Sequence, residues 1–403
     1  MASFYPTAQS FGNAVRRIFL TLLAVTLVSC APAVKLPTPT ATSSTENLST
    51  PISPTETDAI QATPTLSPAS EIIATDKVSS IPLGFGRSVQ IGIDDNYIYW
   101  VSHQNADTLF RVSKNGGNPE KIAATSYATG RLDFTKPLLT GKWIVFGDTD
   151  ASANLETWRI RILNLQDRSE RVLLDIKNDK QGIINSFNMA VSDGWLIWTL
   201  GSPDGSENSI WLLNLDTGEK RELLRTKVNG WIWSLISMSK GSAVVERDAD
   251  ENHTGGGLYL LDLASGKTQV LADANDENSN MPQFNSPWVF WKSGPRYQFA
   301  TQTVLYNLND HEKRLLLLHG LEDTDPLMDG SFIFWMGTPS AAGHSYKSIY
   351  IYDIFKNTTY LFNPPESQTF NEVAIHGNTI AWVRVKDWLY KDSPCYLEWT
   401  TIQ

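Results

Sequence analysis

The stretch SDGWLIWTLGSPDGSENSIWLLNLDTGEKRELLRT, from Ser192 to Thr226, decides the fold. It opens on an apolar run (WLIW, 195–198) and passes through a polar loop (199–208). A second run follows (IWLLNL, 210–215), then a tight turn at Asp216-Thr217-Gly218 and a closing RELL (221–224). Short apolar runs bounded by turn residues read as strands, so one such phrase is a small antiparallel sheet. The phrase then recurs up to the C-terminus.

Seven segments play the part of WLIW: YIYW (97–100), WIVF (143–146), WLIW (195–198), SAVV (242–245), WVFW (288–291), FIFW (332–335) and TIAW (379–382). Their last residues, Trp100, Phe146, Trp198, Val245, Trp291, Trp335 and Trp382, are separated by 46, 52, 47, 46, 44 and 47 positions. Each is followed by a third strand (TLFRVS, TWRIRILNL, SIWLLNL, GLYLLDL, TVLYNL, SIYIYDI, YLEWTTI). Six have a fourth (EKIAA, RVLLD, RELL, TQVLA, RLLLL, TYLFN), reached through turns such as NGG, DTG, ASG and FKN. Gly or Asn in those turns supplies the positive φ a hairpin needs. A period of about 40–50 residues with several short strands per unit identifies the blades of a β-propeller. Continuous apolarity follows, because a strand inside a blade is covered on both faces by its neighbours.

Seven blades are expected, six or eight being the alternatives if a weak unit is miscounted. The seventh has no fourth strand before Gln403, and EIIATDKV (71–78) matches the RELLRTKV form of 221–228. The N-terminal residues from about 71 are therefore expected to pair with YLEWTTI, sealing the sheet edges an open ring would expose.

The N-terminal part reads differently. Arg16 and Arg17 precede IFLTLLAVTLV (18–28), an apolar run of about 16 Å as a helix, too short to span a bilayer core of about 30 Å. Residues 1–29 are thus expected to be a signal peptide. Leu27-Val28-Ser29-Cys30 resembles the bacterial lipobox, which implies lipid attachment at Cys30 and an extracytoplasmic, membrane-anchored protein. Ala31 at the following position implies, by the rules of that family, no retention at an inner membrane. Acyl chains in pairs or threes anchor stably, where one is marginal. Residues 30–69 hold no aromatic residue and recur in Pro, Thr and Ser, the composition of an extended tether reaching up to about 100 Å. The propeller domain is then residues 70–403.

The formal net charge is −10, and loss of Arg16 and Arg17 brings it to about −12 (−10 minus two). An acidic surface repels phosphate backbones, which disfavours nucleic acid as a partner. With Cys30 acylated, Cys395 has no thiol to pair with.

The repeats DDNYIYWVSHQNADTLFRVSKNGGNPEKIA (94–123) and LYLLDLASGKTQVLAD (258–273) resemble those of TolB-type propellers and the propeller halves of dipeptidyl-peptidase-type enzymes. In such peptidases a separate α/β-hydrolase domain carries the nucleophile, and this sequence contains no Gly-x-Ser-x-Gly. Ser202-Pro203-Asp204-Gly205 is not a sialidase box, and Asp216-Thr217-Gly218 lacks the stacking Trp of quinoprotein blades. The resemblance therefore implies a non-catalytic binding module, expected as a monomer, for an envelope or extracellular protein or a polysaccharide. The alternative is a carbohydrate-active enzyme, a lyase or glycosidase, with its site in the propeller funnel.

The longer second-to-third and blade-to-blade loops emerge on one face, the expected ligand face. Candidate contacts there are Trp231 and Trp233, Arg296 beside Tyr297, and Trp388 with Tyr390, since exposed aromatics and Arg anchor partners or stack on sugars. Trp231 and Trp233 equally suit the start of a strand (WIWSLISM). Asp248, Asp250 and Asn252 have the spacing with which calcium loops begin, but His253 stands where Gly is expected and no Glu occupies the twelfth position. A solvated acidic loop is the reading favoured, calcium the alternative, and no other cofactor is expected. His103, His253, His319 and His344 fall on long loops of four different blades, too dispersed to converge on one metal.

Overall fold

A computed structural model describes residues 71–72 and 78–401, except 86–89, 103–106, 127–129, 151–157, 176–188, 203–206, 228–232, 248–256, 274–277, 295–301, 317–325, 338–346, 364–367 and 387–392. These residues form an all-β, seven-bladed propeller with no helix among them. The second strands are the seven tryptophan-rich runs: Tyr97–Ser102, Trp143–Asp150, Trp195–Gly201, Ser242–Arg247, Trp288–Gly294, Phe332–Gly337 and Thr379–Val385. Each sits between a first strand nearest the axis and a third strand, all antiparallel. First strands of neighbouring blades touch, and blade six reaches blade seven through its second strand.

The buried apolar side chains divide into seven clusters, and each cluster is one seam between two blades. Between blades two and three, Val145, Ile160, Ile162 and Leu174 meet Leu196, Trp198, Leu200, Leu213 and Leu215. Trp198 faces that seam, while Ile197 on the same strand faces the seam to blade four with Ile236, Ala243 and Val245. Alternation of side chains along a strand explains why both parities must be apolar. Seven seams for seven blades require the last to join blade seven to blade one. It does: Ala381, Val383, Leu397 and Trp399 pack on Ile91, Ile98, Trp100 and Val112. Cys395 is buried in this cluster, its thiol directed at the Ser393 carbonyl 3.6 Å away.

Closure by N-terminal residues is present, but with a different segment from the one expected. The outer strand of blade seven is Ser79–Phe85, antiparallel to Pro394–Thr401 with Ser80 opposite Glu398 and Ile81 opposite Leu397. Ile81 and Leu83 alternate, so both land on the seam between blades seven and one. Pro82 is tolerated because this is the sheet's edge strand, where one face of the backbone makes no ladder bonds. The earlier Glu71–Ile72 pairs parallel with Thr358–Phe362, making blade six five-stranded. The likeness of EIIATDKV to RELLRTKV reflected strand composition and not position in the ring.

The polar loop expected at 199–208 is also shorter than its polarity suggested. Leu200 pairs with Ser209 and Gly201 with Asn208, so the ladder runs on through polar residues to a loop of 202–206. At the opposite end of blade three, Ser192 pairs with Trp195 across Asp193 (φ 51°) and Gly194 (φ 77°). Two consecutive positive φ values make a type I′ turn, whose twist matches that of the flanking strands.

Candidate functional site

Most of the candidate ligand contacts lie outside the described residues. This holds for Asp248, Asp250 and Asn252, for Arg296 and Tyr297, for Trp388 and Tyr390, for Trp231, and for Cys30. It holds too for His103, His253, His319 and His344. Trp233 opens the first strand of blade four, Trp233–Ser239, opposite Arg247, which accords with the strand reading of WIWSLISM. The ladders place the second-to-third loops on one side of the ring. Seven connections there, from five residues (103–107) to ten (338–347) in length, contrast with two-residue turns between first and second strands in blades two to seven.

The described residues bring together three polar constellations, each at a blade seam. On the loop side of the seam between blades one and two, Asp148 is buried in full. Its carboxylate accepts from Thr125 Oγ1 (2.5 Å), from Ser126 N (3.0 Å) and Oγ (2.6 Å), and from Arg161 Nη1 (2.8 Å). Arg161 also donates to the Ala124 carbonyl and, through Nε and Nη2, to Glu170 at 2.6 and 2.7 Å. Its guanidinium lies 4.8 Å from the Phe146 ring centroid. A fully buried carboxylate with donors on both oxygens and a guanidinium as partner is a packing element.

In blade seven, Glu398 accepts from Arg384 Nη2 (2.6 Å) and Nε (2.9 Å), from Trp382 Nε1 (2.9 Å) and from Ser80 Oγ (3.3 Å). Gln368 accepts from Arg384 Nη1. Ser80 belongs to the closing strand, so this pair latches the N-terminal segment to the ring.

The third constellation lies on the side of the tight turns, which are stitched to one another around the axis. Gly194 N donates to Thr140 Oγ1 (2.9 Å), Lys240 N to Asp193 Oδ2 (3.1 Å) and Ser286 N to Ser239 Oγ (3.1 Å). Where blade seven meets both neighbours, a side chain does the stitching. His376 Nδ1 lies 3.0 Å from Asp329 Oδ2 of blade six, and its Nε2 lies 3.1 Å from Asp95 Oδ1 of blade one. The hydrogen bond to Asp329 raises the imidazole above its ordinary value, against opposition from burial. Lys114 stands nearby, lowered by burial, with Asp94, Asp95 and Asp329 pulling the other way. Asp94 accepts from the Tyr99 hydroxyl, whose acidity burial and this bond both weaken. Among the described residues no group of three or more His, Cys, Asp or Glu is arranged to hold a metal.

None of these seam groups stood out as functional in the sequence, yet a cue was present. Glu398 is a lone acid inside an otherwise uncharged strand (YLEWTTI), and Arg161 interrupts RIRIL; both match opposite charges on adjoining strands.

No family model matches the chain, and no curated protein matches it by sequence. Solved structures do match in fold. A prolyl endopeptidase aligns with TM-score 0.56 at 10% identity, over 75% of this chain and 46% of that one, so the chain spans less than half of that enzyme. The β-propeller domain of the trilobed protease from Pyrococcus furiosus, whose velcro is open, aligns with TM-score 0.54 at 10% identity, over 78% of this chain and 98% of that one. An oligogalacturonate lyase from Vibrio parahaemolyticus gives TM-score 0.54 at 9% identity, over 83% and 96%. At such identities the likeness establishes the propeller fold and nothing finer.

Proposed function

We propose that the chain is a membrane-tethered, extracytoplasmic binding module, anchored by lipid at Cys30, spaced by residues 31–69, and docking a protein or envelope polymer on its long loops. One contrast carries the reading. The tight-turn side is closed by two-residue hairpins stitched across the seams, while the other side carries seven connections of differing length. A rigid ring that varies only on one face is how scaffolds present recognition loops. The buried carboxylates of Asp148 and Glu398 each accept from donors on both oxygens, which suits a structural role for them.

The test is capture from solubilised membranes with the full tethered chain, run beside Arg296→Ala/Tyr297→Ala and Trp388→Ala/Tyr390→Ala loop variants. A specific partner lost in the loop variants supports the reading; equal capture by all three overturns the assignment of the face. Anchoring is tested separately, since Cys30→Ser should release the protein into the soluble fraction. A melting temperature unmoved by millimolar calcium would remove Asp248, Asp250 and Asn252 as a site.

A second reading is a carbohydrate-active enzyme working in the funnel. It is favoured by the nearly whole-chain match of a stand-alone propeller that is itself a lyase. Cleavage of an acidic polysaccharide by the purified chain would select it over the first.

A further inference from the structure

We infer that His376 is held as an imidazolium whose two N–H groups tie blade seven to both of its neighbours, making ring closure sensitive to pH. The geometry requires the charge. Ionised carboxylates only accept hydrogen bonds, and a neutral imidazole has one donor and one acceptor nitrogen. With Nδ1 at 3.0 Å from Asp329 and Nε2 at 3.1 Å from Asp95, both ring nitrogens must donate. A neutral ring would direct a lone pair at one of the two aspartates.

The position gives the proton its leverage. Blade seven is the one completed by a strand from the other end of the chain, Ser79–Phe85, so its seams are where the ring can part. His376 ends its first strand, Thr369–His376. Asp329 ends the first strand of blade six, Leu327–Asp329, and Asp95 sits in the first turn of blade one. The charged groups facing the imidazole are these two carboxylates, with Lys114 of blade one opposing its charge and Asp94 facing Lys114 in turn. The carboxylates outweigh the lysine, and the imidazole is raised above its ordinary value. A group raised on folding contributes fully below its unfolded value of about 6.5, and the contribution disappears as pH climbs through the folded value. Blade seven is therefore held most firmly at mildly acid pH, below about 6.5, and loosens as pH climbs through the raised folded value.

The experiment uses the purified full-length chain in detergent, with histidine labelled at Cε1 for NMR, beside His376→Gln and Asp329→Asn. One imidazole should titrate above the ordinary value, vanish in His376→Gln and move down in Asp329→Asn. The wild-type melting temperature should fall by about 1–3 °C more than that of His376→Gln between pH 6.5 and 9, a small shift because the site is partly exposed. Amide exchange in 369–376, corrected for intrinsic rate, should quicken over the same range while 189–192 in blade three does not. A His376 resonance titrating at or below the ordinary value overturns the inference. So do melting profiles that run parallel in wild type and variants. If His376→Gln does not fold, the isosteric Asp329→Asn carries both readouts.

Discussion

Asp148 illustrates what one residue does in this ring. It is fully buried and accepts from a backbone amide, two hydroxyls and a guanidinium drawn from two blades. Removing one member of a buried ion pair strands the other, and that usually costs more than the pair contributes. Asp148→Ala should destabilise by about 3 kcal/mol, short of the extreme because Glu170 still holds Arg161. Asp148→Asn, which keeps one acceptor, should cost about 1–2 kcal/mol; urea midpoints at constant m measure both. Gly266 makes a second single-residue case. Its φ is +71° and an added Cβ would meet the Leu223 carbonyl oxygen of blade three at 3.0 Å. Gly218 has φ +77°, but the nearest atom to its Cβ would be the flexible end of Arg171, 3.7 Å away. Gly218→Ala should then cost only the conformational term of about 1 kcal/mol, and Gly266→Ala about 1 kcal/mol more. Equal losses at the two sites would show that blades three and four give way locally.

At the scale of elements, fourth strands are fastened to the next blade by a repeated arginine. Arg171 Nη2 donates to the Leu215 carbonyl (2.7 Å), Arg221 to the Leu263 and Ala264 carbonyls, and Arg314 Nη1 to the Ile354 carbonyl (3.1 Å). Leu215, Leu263 and Ile354 hold one equivalent place, each amide bonding back to its own blade's first turn. A planar, delocalised guanidinium can reach a carbonyl while sitting over a ring, as Arg314 does at 5.1 Å from the Trp288 centroid. Replacing Arg221 or Arg314 by Met should cost about 1–2 kcal/mol each, Lys should recover little, and the double variant should be additive because the seams are separate. Coupling between them in a double-mutant cycle would overturn the picture of independent seams. These fasteners were hard to read in advance because their partners are main-chain carbonyls some 40 positions away, which leave no trace in side-chain pattern. The second strands were legible for the opposite reason. Burial on both faces demands apolar residues at successive positions, so WLIW and its six counterparts announce themselves. The closing strand was legible in kind and misplaced in position. Among the described side chains SSIPLGF offers Ile81 and Leu83 to the core, and EIIATDKV has the richer strand composition. The candidate ligand loops follow no periodic pattern in the sequence, and periodicity carries no information about where such residues meet.

For the whole molecule the question is whether seven blades behave as one cooperative ring or as a chain of neighbours, and the closing strand decides it. Stacked repeats that touch only adjacent units have stabilities that add along the stack, and their end units fray. A ring has no end units while Ser79–Phe85 covers the Pro394–Thr401 edge and the seam of Ile91, Trp100, Leu397 and Trp399 stays packed. Two truncations separate the contributions. A chain beginning at residue 78 loses Glu71–Ile72, which pairs with blade six through two register positions, and keeps the described members of all seven seam clusters. It should unfold in a single transition at an unchanged midpoint. A chain beginning at residue 87 also loses Ser80 from Glu398, and Ile81 and Leu83 from the seam, and it bares an edge strand to other chains. It should aggregate, or unfold in two phases with blades seven and one leading. A synthetic peptide of residues 78–86 added in excess should restore a single transition, by mass action on the vacant edge. A residue-87 chain that unfolds in one step at the wild-type midpoint would mean that apolar packing between blades seven and one closes the ring without help from the N-terminal strand.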